Sequence, residues 1–165
     1  MKKISTILLC IFLLHATHVF AQAGNLDNTF DGDGKTLTTI NTHNCYGRAV
    51  TVQSDGKILV AGYTFNPDFT FDFAIVRYNA DGSLDNSFDG DGKVTTDLSG
   101  LNNDFGKAIT IASNGKIIVA GYCTINFGFD FAVARYNSDG SLDASFDGDG
   151  KVTTAIGSFD DVGNA

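Results

Sequence analysis

The segment LDNTFDGDGK, beginning at Leu26, returns as LDNSFDGDGK at Leu84 and as LDASFDGDGK at Leu142. This recurrence constrains the chain more than any other feature, because whatever unit forms must form again 58 residues later and stack on its neighbour. The match runs well beyond the ten-residue core. Residues 72–96 and 130–154 differ at only four of 25 positions, and AVTVQSDGKILVAGY (49–63) is matched by AITIASNGKIIVAGY (108–122). That last spacing is one residue longer, so flanking loops absorb the difference.

Each unit contains four strand candidates. In the first they are residues 35–40, 48–53, 57–63 and 73–79; in the second, residues 93–98, 107–112, 116–122 and 131–137. All are rich in Val, Ile, Thr and aromatics and are bounded by Gly and Asp. The segments SDGK (54–57) and SNGK (113–116) carry the Asp-Gly and Asn-Gly pairs that supply positive φ in tight hairpin turns. Every acidic residue is Asp, and the chain has 19 Gly and one Pro. Lack of Glu and abundance of turn formers argue against helical bundles and Rossmann-type alternation. An apolar fraction of 43% argues against disorder. Four short strands per unit of this length is the pattern of a propeller blade.

The stretches DGKILVAGY (55–63) with FAIVRYNADGSLDNSF (73–88), and NGKIIVAGY (114–122) with FAVARYNSDGSLDASF (131–146), resemble the delta-60 repeat family of bacterial propeller-type repeats. The resemblance covers essentially all of the chain after residue 21. It implies exported or surface proteins and brings no catalytic residues with it. The expected fold is all-β, a β-propeller-type repeat with two four-stranded blades plus the first strand of a third. The expected boundaries are 1–21 signal peptide, 22–34 lead-in matching the end of a repeat, 35–92 first blade, 93–150 second blade, and 151–165 start of a truncated third repeat. Propellers close with about 4–8 blades, so two blades predict a fragment of a longer array or self-association through an open sheet edge.

Export is read from the N-terminus. Lys2 and Lys3 precede an apolar run, Ile4–Leu14, too short for a span of about 20 residues, and Val19 and Ala21 place small side chains for cleavage after Ala21. Secreted or cell-surface localisation follows, with no membrane span after cleavage. A net charge of −8, more negative once Lys2 and Lys3 leave, excludes nucleic acid as a partner.

An up-and-down path through the strands sorts the loops onto two ends. One end is nearly identical between units and Asp-rich. Asn79, Asp81, Asp85, Asp89 and Asp91, and in the next unit Asp139, Asp143, Asp147 and Asp149, are its calcium candidates, because closely spaced oxygens suit that ion. The competing reading is Asp-Gly turns in which carboxylates bond local amides; no Glu is present to close an EF-hand-type site. The other end differs between units, and there Phe65, Phe69, Phe127 and Phe129 form a candidate ligand surface for sugars or peptides, or else pack between blades.

Catalytic constellations do not assemble. After cleavage His43 is the one histidine, no Gly-x-Ser-x-Gly elbow exists, and the Asp residues recur with the structural period, as turns require. Arg77 and Arg135 lie within strands and are expected to pair with an Asp of the same blade. Cys45 and Cys123 fall on the same end of neighbouring blades, and a bridge requires their Cα atoms within about 7 Å. The function read from the sequence is a non-catalytic repeat protein in adhesion, ligand binding or scaffolding, with a protein or carbohydrate partner and no cofactor other than calcium. The alternative is the propeller part of an exported polysaccharide-active enzyme whose catalytic residues lie outside this chain.

Overall fold

A computed structural model describes residues 24–164, apart from residues 101, 127 and 158. The expected signal peptide, 1–21, lies outside the described residues. Among those described, no helix is long and apolar enough to cross a membrane.

Among the described residues, eight strands form two antiparallel four-stranded sheets. The first contains β1 (Cys45–Val52), β2 (Ile58–Phe65), β3 (Phe71–Tyr78) and β4 (Lys93–Thr96); the second contains β5 (Asp104–Ile111), β6 (Ile117–Ile125), β7 (Gly128–Tyr136) and β8 (Lys151–Thr154). In both, strands lie side by side in chain order, so each is a simple meander. The hairpins β1–β2 and β5–β6 turn at Gly56 and Gly115, which take φ of 86° and 80°. Asp55 and Asn114 do not enter the positive region; their side chains accept from the amides of Lys57 and Lys116 instead. One glycine per turn supplies the reversal.

The sheets are cut one strand later than the sequence units. The KVTT segments, read as the first strands of the second and third units, are the fourth strands of the sheets before them. Ile75 pairs with Val94 and Phe73 with Thr96, and in the second sheet Val133 pairs with Val152. The expected boundaries at 92/93 and 150/151 thus fall inside sheets, and the leftover first strand of a third blade instead completes the second sheet. The reason lies in the LDxSFDGDG loop. Asp85 N donates to Arg77 O and Arg77 N to Gly92 O, which turns the chain back along β3 and delivers Lys93 to it. The corresponding residues 35–40 form no strand, since no described strand lies beside them.

The sheets pack face to face. β5 crosses the first sheet in contact with β1, β2 and β3. Leu59, Ala61, Phe73, Ile75 and Phe88 from one side meet Ile117, Val119, Ala132, Ala134 and Tyr136 from the other, all essentially without solvent contact. Burying each large member contributes about 1.5–3 kcal/mol. Tyr136 Oη donates to Thr96 Oγ1 across the joint at 2.8 Å, satisfying the one polar atom of the largest buried side chain. One approach is backbone on backbone. A Cβ at Gly106 would overlap the carbonyl oxygen of Gly62, so β5 seats directly on β2 because Gly106 lacks a side chain.

Arg77 and Arg135 pair within their own sheets, as their place in the strands required. Asp85 Oδ2 accepts from Arg77 Nε at 2.7 Å and Lys57 Nζ at 2.8 Å. Asp143 Oδ2 accepts from Arg135 Nε at 2.8 Å and Lys116 Nζ at 3.2 Å. Arg77 also donates through Nη1 to Ser138 O of the second sheet at 2.5 Å, and its guanidinium lies 4.5 Å from the Phe88 ring centre.

Three substitutions test this account. Gly106→Val forces β5 off Gly62 and is expected to lower stability by at least the roughly 1–3 kcal/mol of an overpacked core, read as a fall in urea midpoint. Asp85→Ala leaves Arg77 buried without its partner and is expected to cost about 3–5 kcal/mol. The same change at the more exposed Asp143 pair is expected to cost less, and equal losses would contradict the unequal burial.

Candidate ligand-binding end

Seven of the nine residues that sequence reasoning gathered as a calcium site bond to local groups through their side chains. Asp81 Oδ1 accepts from Ser83 N at 3.0 Å and Ser83 Oγ at 2.6 Å, and Asp139 does the same with Ser141. Asp91 and Asp149 accept from the amides of Lys93 and Lys151. Asn79 donates its amide to Ser83 Oγ and Leu84 O. Asp85 and Asp143 each hold two cations, so ligating calcium there would require breaking an ion pair. Asp89 and Asp147 take φ of 51° in the DGDG turn, where Asx side chains tolerate that geometry. Apart from Asp89 and Asp147, the carboxylates of these Asp-Gly turns sit on local donors; Asp89 is raised by burial and by the charges of Asp91 and Asp139.

Three other carboxylates converge. One ligand atom each of Asp72, Asp97 and Asp104 lies within 4.8 Å of the other two, and no other such trio of His, Cys or Asp groups occurs among the described residues. They sit at the opposite end of the sheets, at the start of β5 and the β3–β4 edge. Asp104 is fully buried. Its Oδ2 accepts from Leu98 N at 2.6 Å and its Oδ1 from Ser99 Oγ at 2.5 Å. Burial pushes its carboxyl up to about 6, against these hydrogen bonds and with help from the charges of Asp72 and Asp97. Burial likewise raises Asp72, opposed by Asn66. A trio of this kind holds either a proton or a hard cation. Beside it, Cys123 is pushed up to about 12 by burial and by Asp104 and Asp130. Cys123 and Cys45 are both free thiols. Cys45 occupies the place in β1 that Asp104 holds in β5, and Cys123 pairs with Asp104 in register, so the cysteines belong to different positions of the repeat.

The same end carries a row of aromatic rings. Phe65, singled out from the sequence, meets Phe71 at 5.0 Å between centres, Phe69 at 6.1 Å and His43 at 5.8 Å. Phe71 meets Phe105 at 5.4 Å across the joint between sheets. Phe105 meets Tyr122 at 5.1 Å, and Tyr122 meets Phe129 at 5.0 Å. Tyr63 and Tyr46 complete the row, stacked at 5.0 Å. Of the four predicted phenylalanines, Phe65 and Phe129 are half-buried within the row, Phe69 projects with 82% exposure, and Phe127 lies outside the described residues. The row packs the joint together and leaves ring surface at its rim.

Two cations lie over the rings, and a backbone device puts them there. The register of β1 on β2 slips between Gly47 and Ala49, and that of β5 on β6 between Gly106 and Ala108. Each bulge leaves one residue unpaired and re-aims its side chain. Arg48 lies 5.2 Å from the Tyr63 ring centre and donates to its hydroxyl. Lys107 Nζ lies 5.0 Å from Tyr122 and 5.2 Å from Tyr63. Beyond Phe129, a hollow of about 510 Å³ is bordered by Asn126, Asp130, Phe159 and Asp160, within the size range of small-ligand sites.

Sequence reasoning found the end of the molecule but missed Tyr46, Tyr63, Phe71, Phe105 and Tyr122. Their signal was present as aromatics closing the strands in GYT, FDF and DFG. Arg48 and Lys107 carried no signal, because a bulge is invisible in the alternation.

The carboxylates give opposite pH responses. Asp104 binds its proton more tightly in the folded chain than in the unfolded one, so stability falls as pH rises from about 4 through 6. Asp143 is lowered to about 2, chiefly by the Ser145 hydroxyl against burial, with Lys116 and Arg135 adding to it. Its stabilisation is lost as pH falls from about 4 to 2. Asp85 is also lowered, its burial outweighed by Lys57, Ser87 and Arg77. Denaturation midpoints measured across pH should peak between these windows, and Asp104→Asn should remove the decline above pH 4–6. An unchanged decline in Asp104→Asn would contradict the assignment.

The family model described as a domain of unknown function (DUF5122) β-propeller matches the chain twice, over residues 53–88 and 112–146. Each match spans the second and third strands of a sheet, the Arg–Asp ion pair and the turn that follows. No curated protein matches the chain.

Proposed function

Because the chain carries two DUF5122 β-propeller repeats of the delta-60 type, we propose that it is an exported, non-catalytic module that binds a carbohydrate at the ring-bearing end. The observation that carries this reading is the continuous row of rings from Phe65 through Phe71, Phe105 and Tyr122 to Phe129. Such a row offers apolar platforms to the C–H faces of successive sugar units, while Asp and Asn side chains at its rim accept and donate to hydroxyls. Four-stranded sheets hold the rings rigidly, so little order is lost on binding. The loops carrying them differ between the repeats, which suits recognition of successive units that are not identical. Lys2, Lys3 and the apolar run to Leu14 support delivery outside the cell.

Calorimetric titration with soluble cello-, xylo- and chito-oligosaccharides tests the reading. Removing the exposed rings in Phe69→Ala and Tyr46→Ala should weaken binding about two- to tenfold each, the worth of one ring contact, with melting temperature nearly unchanged. Absence of binding to every oligosaccharide, or affinity indifferent to both substitutions, would contradict it.

A further inference from the structure

Each sheet has two faces, and the joint buries one of each. On the first sheet it buries Leu59, Ala61, Phe73, Ile75 and Phe88. Their repeat counterparts on the outer face of the second sheet are Ile118, Ala120, Phe131, Val133 and Phe146, all of which keep solvent contact. On the second sheet the joint takes in the aliphatic edge Ile109 and Ile111. Their counterparts Val50 and Val52 on the outer face of the first sheet are 65% and 61% exposed, while Ala74, Val76 and Tyr78 beside them, the counterparts of Ala132, Ala134 and Tyr136, are covered by Ile40 from the preceding segment. The two outer faces are therefore the two halves of an interface that the chain already makes once within itself.

The polar contacts repeat in the same way. Arg77 Nη1 reaches Ser138 O across the joint. Arg135 bonds Asp143 and Ser145 through Nε and Nη2, and its Nη1 has no acceptor among the described residues. The counterpart of Ser138 is the exposed Ala80. Tyr136 bonds Thr96, whose counterpart is the exposed Thr154.

Short segments already trace the docking path on both outer faces. Asp31 N donates to Asp81 O at 2.7 Å as Asp89 N donates to Asp139 O at 2.8 Å. A Cβ at Gly82 would meet Phe30 just as one at Gly140 would meet Phe88. On the far side, Ile156 N donates to Asp161 Oδ2 at 2.7 Å as Leu98 N does to Asp104 Oδ2 at 2.6 Å. Phe129 N donates to Asp160 Oδ1 at 3.0 Å as Phe71 N does to Asn103 Oδ1 at 3.1 Å. Gly163 stands against Gly121 O as Gly106 stands against Gly62 O.

We propose that the outer faces take a second copy of this chain, head to tail, with the second sheet of one copy packed on the first sheet of the next in the geometry of the internal joint. The incoming sheet carries the same contact residues as the segment it replaces, tied to a full apolar face. It therefore displaces residues 26–38 of one copy, whose last four residues lie where the incoming β8 must sit, and 156–163 of the other. The contact is heterologous, and it closes into a ring where the rotation between sheets permits; about 4–8 sheets correspond to two to four copies. This mode buries sheet faces and leaves strand edges unused, unlike the edge pairing expected from the sequence. It is independent of the carbohydrate reading.

Sedimentation velocity of the full chain from micromolar to near-millimolar concentration tests the proposal. The expected result is concentration-dependent species at whole multiples of the chain mass. The double variant Val50→Asp, Val52→Asp alters side chains already exposed in the single copy and should remain monomeric with unchanged circular dichroism. Asp161→Ala frees the 156–163 segment, and assembly should then begin at about tenfold lower concentration. A monomer at all concentrations, assembly unaffected by the double variant, or weaker assembly in Asp161→Ala would each overturn the proposal.

Discussion

The seating of β5 on β2 at Gly106 and Gly62 fixes the rest of the molecule. There the backbone of one sheet meets that of the other with no side chain at Gly106 to hold them apart, and the close approach brings the flanking rows into contact. Leu59, Phe73 and Ile75 then face Ile117, Val119 and Tyr136 without a gap for water. A four-stranded meander has one apolar face too many to stand alone in water. Its firmness comes from a neighbour of nearly identical sequence, which makes stability a property shared between units.

Electrostatics divides the two ends of this stack. At the repeated end most carboxylates are matched: Asp85 and Asp143 each hold a Lys and an Arg, and Asp81, Asp91, Asp139 and Asp149 close turns on nearby amides and hydroxyls. At the other end, Asp72, Asp97 and Asp104 stand close together with their charge unbalanced, beside a row of rings crossed by Arg48 and Lys107. Lys57, Arg77, Lys116 and Arg135 thus lock the turns at one end. The reactive potential, in proton affinity and ring surface, is concentrated at the other, where the loops of the two repeats differ.

Much of this was legible in the residues. Alternation of Val, Ile and Thr around Asp-Gly and Asn-Gly pairs announced the strands and hairpins, and the charged Arg77 within an apolar strand announced its ion pair. The strand grouping was not legible, because a repeat has no marked beginning. KVTT is as good a first strand as a fourth until the loop hydrogen bonds at Arg77 and Gly92 decide. That Asp85 and Asp143 each hold a Lys and an Arg was not legible either, because spacing in sequence does not show which cation lies across the sheet. The acidic trio escaped notice for the converse reason, since Asp72, Asp97 and Asp104 come together only when one sheet is laid on the next. Bulges at Arg48 and Lys107 likewise follow from strand pairing and not from residue type.

The central claim is that two sheets form one cooperative body through the joint between them. Native-state hydrogen exchange measures this directly. If the joint governs stability, amides of β2 and β3 and those of β6 and β7 will share one opening free energy and respond together to low concentrations of denaturant. Amides of β6 and β7 that stay protected while those of β2 and β3 exchange freely would show two independent sheets, and would contradict the account.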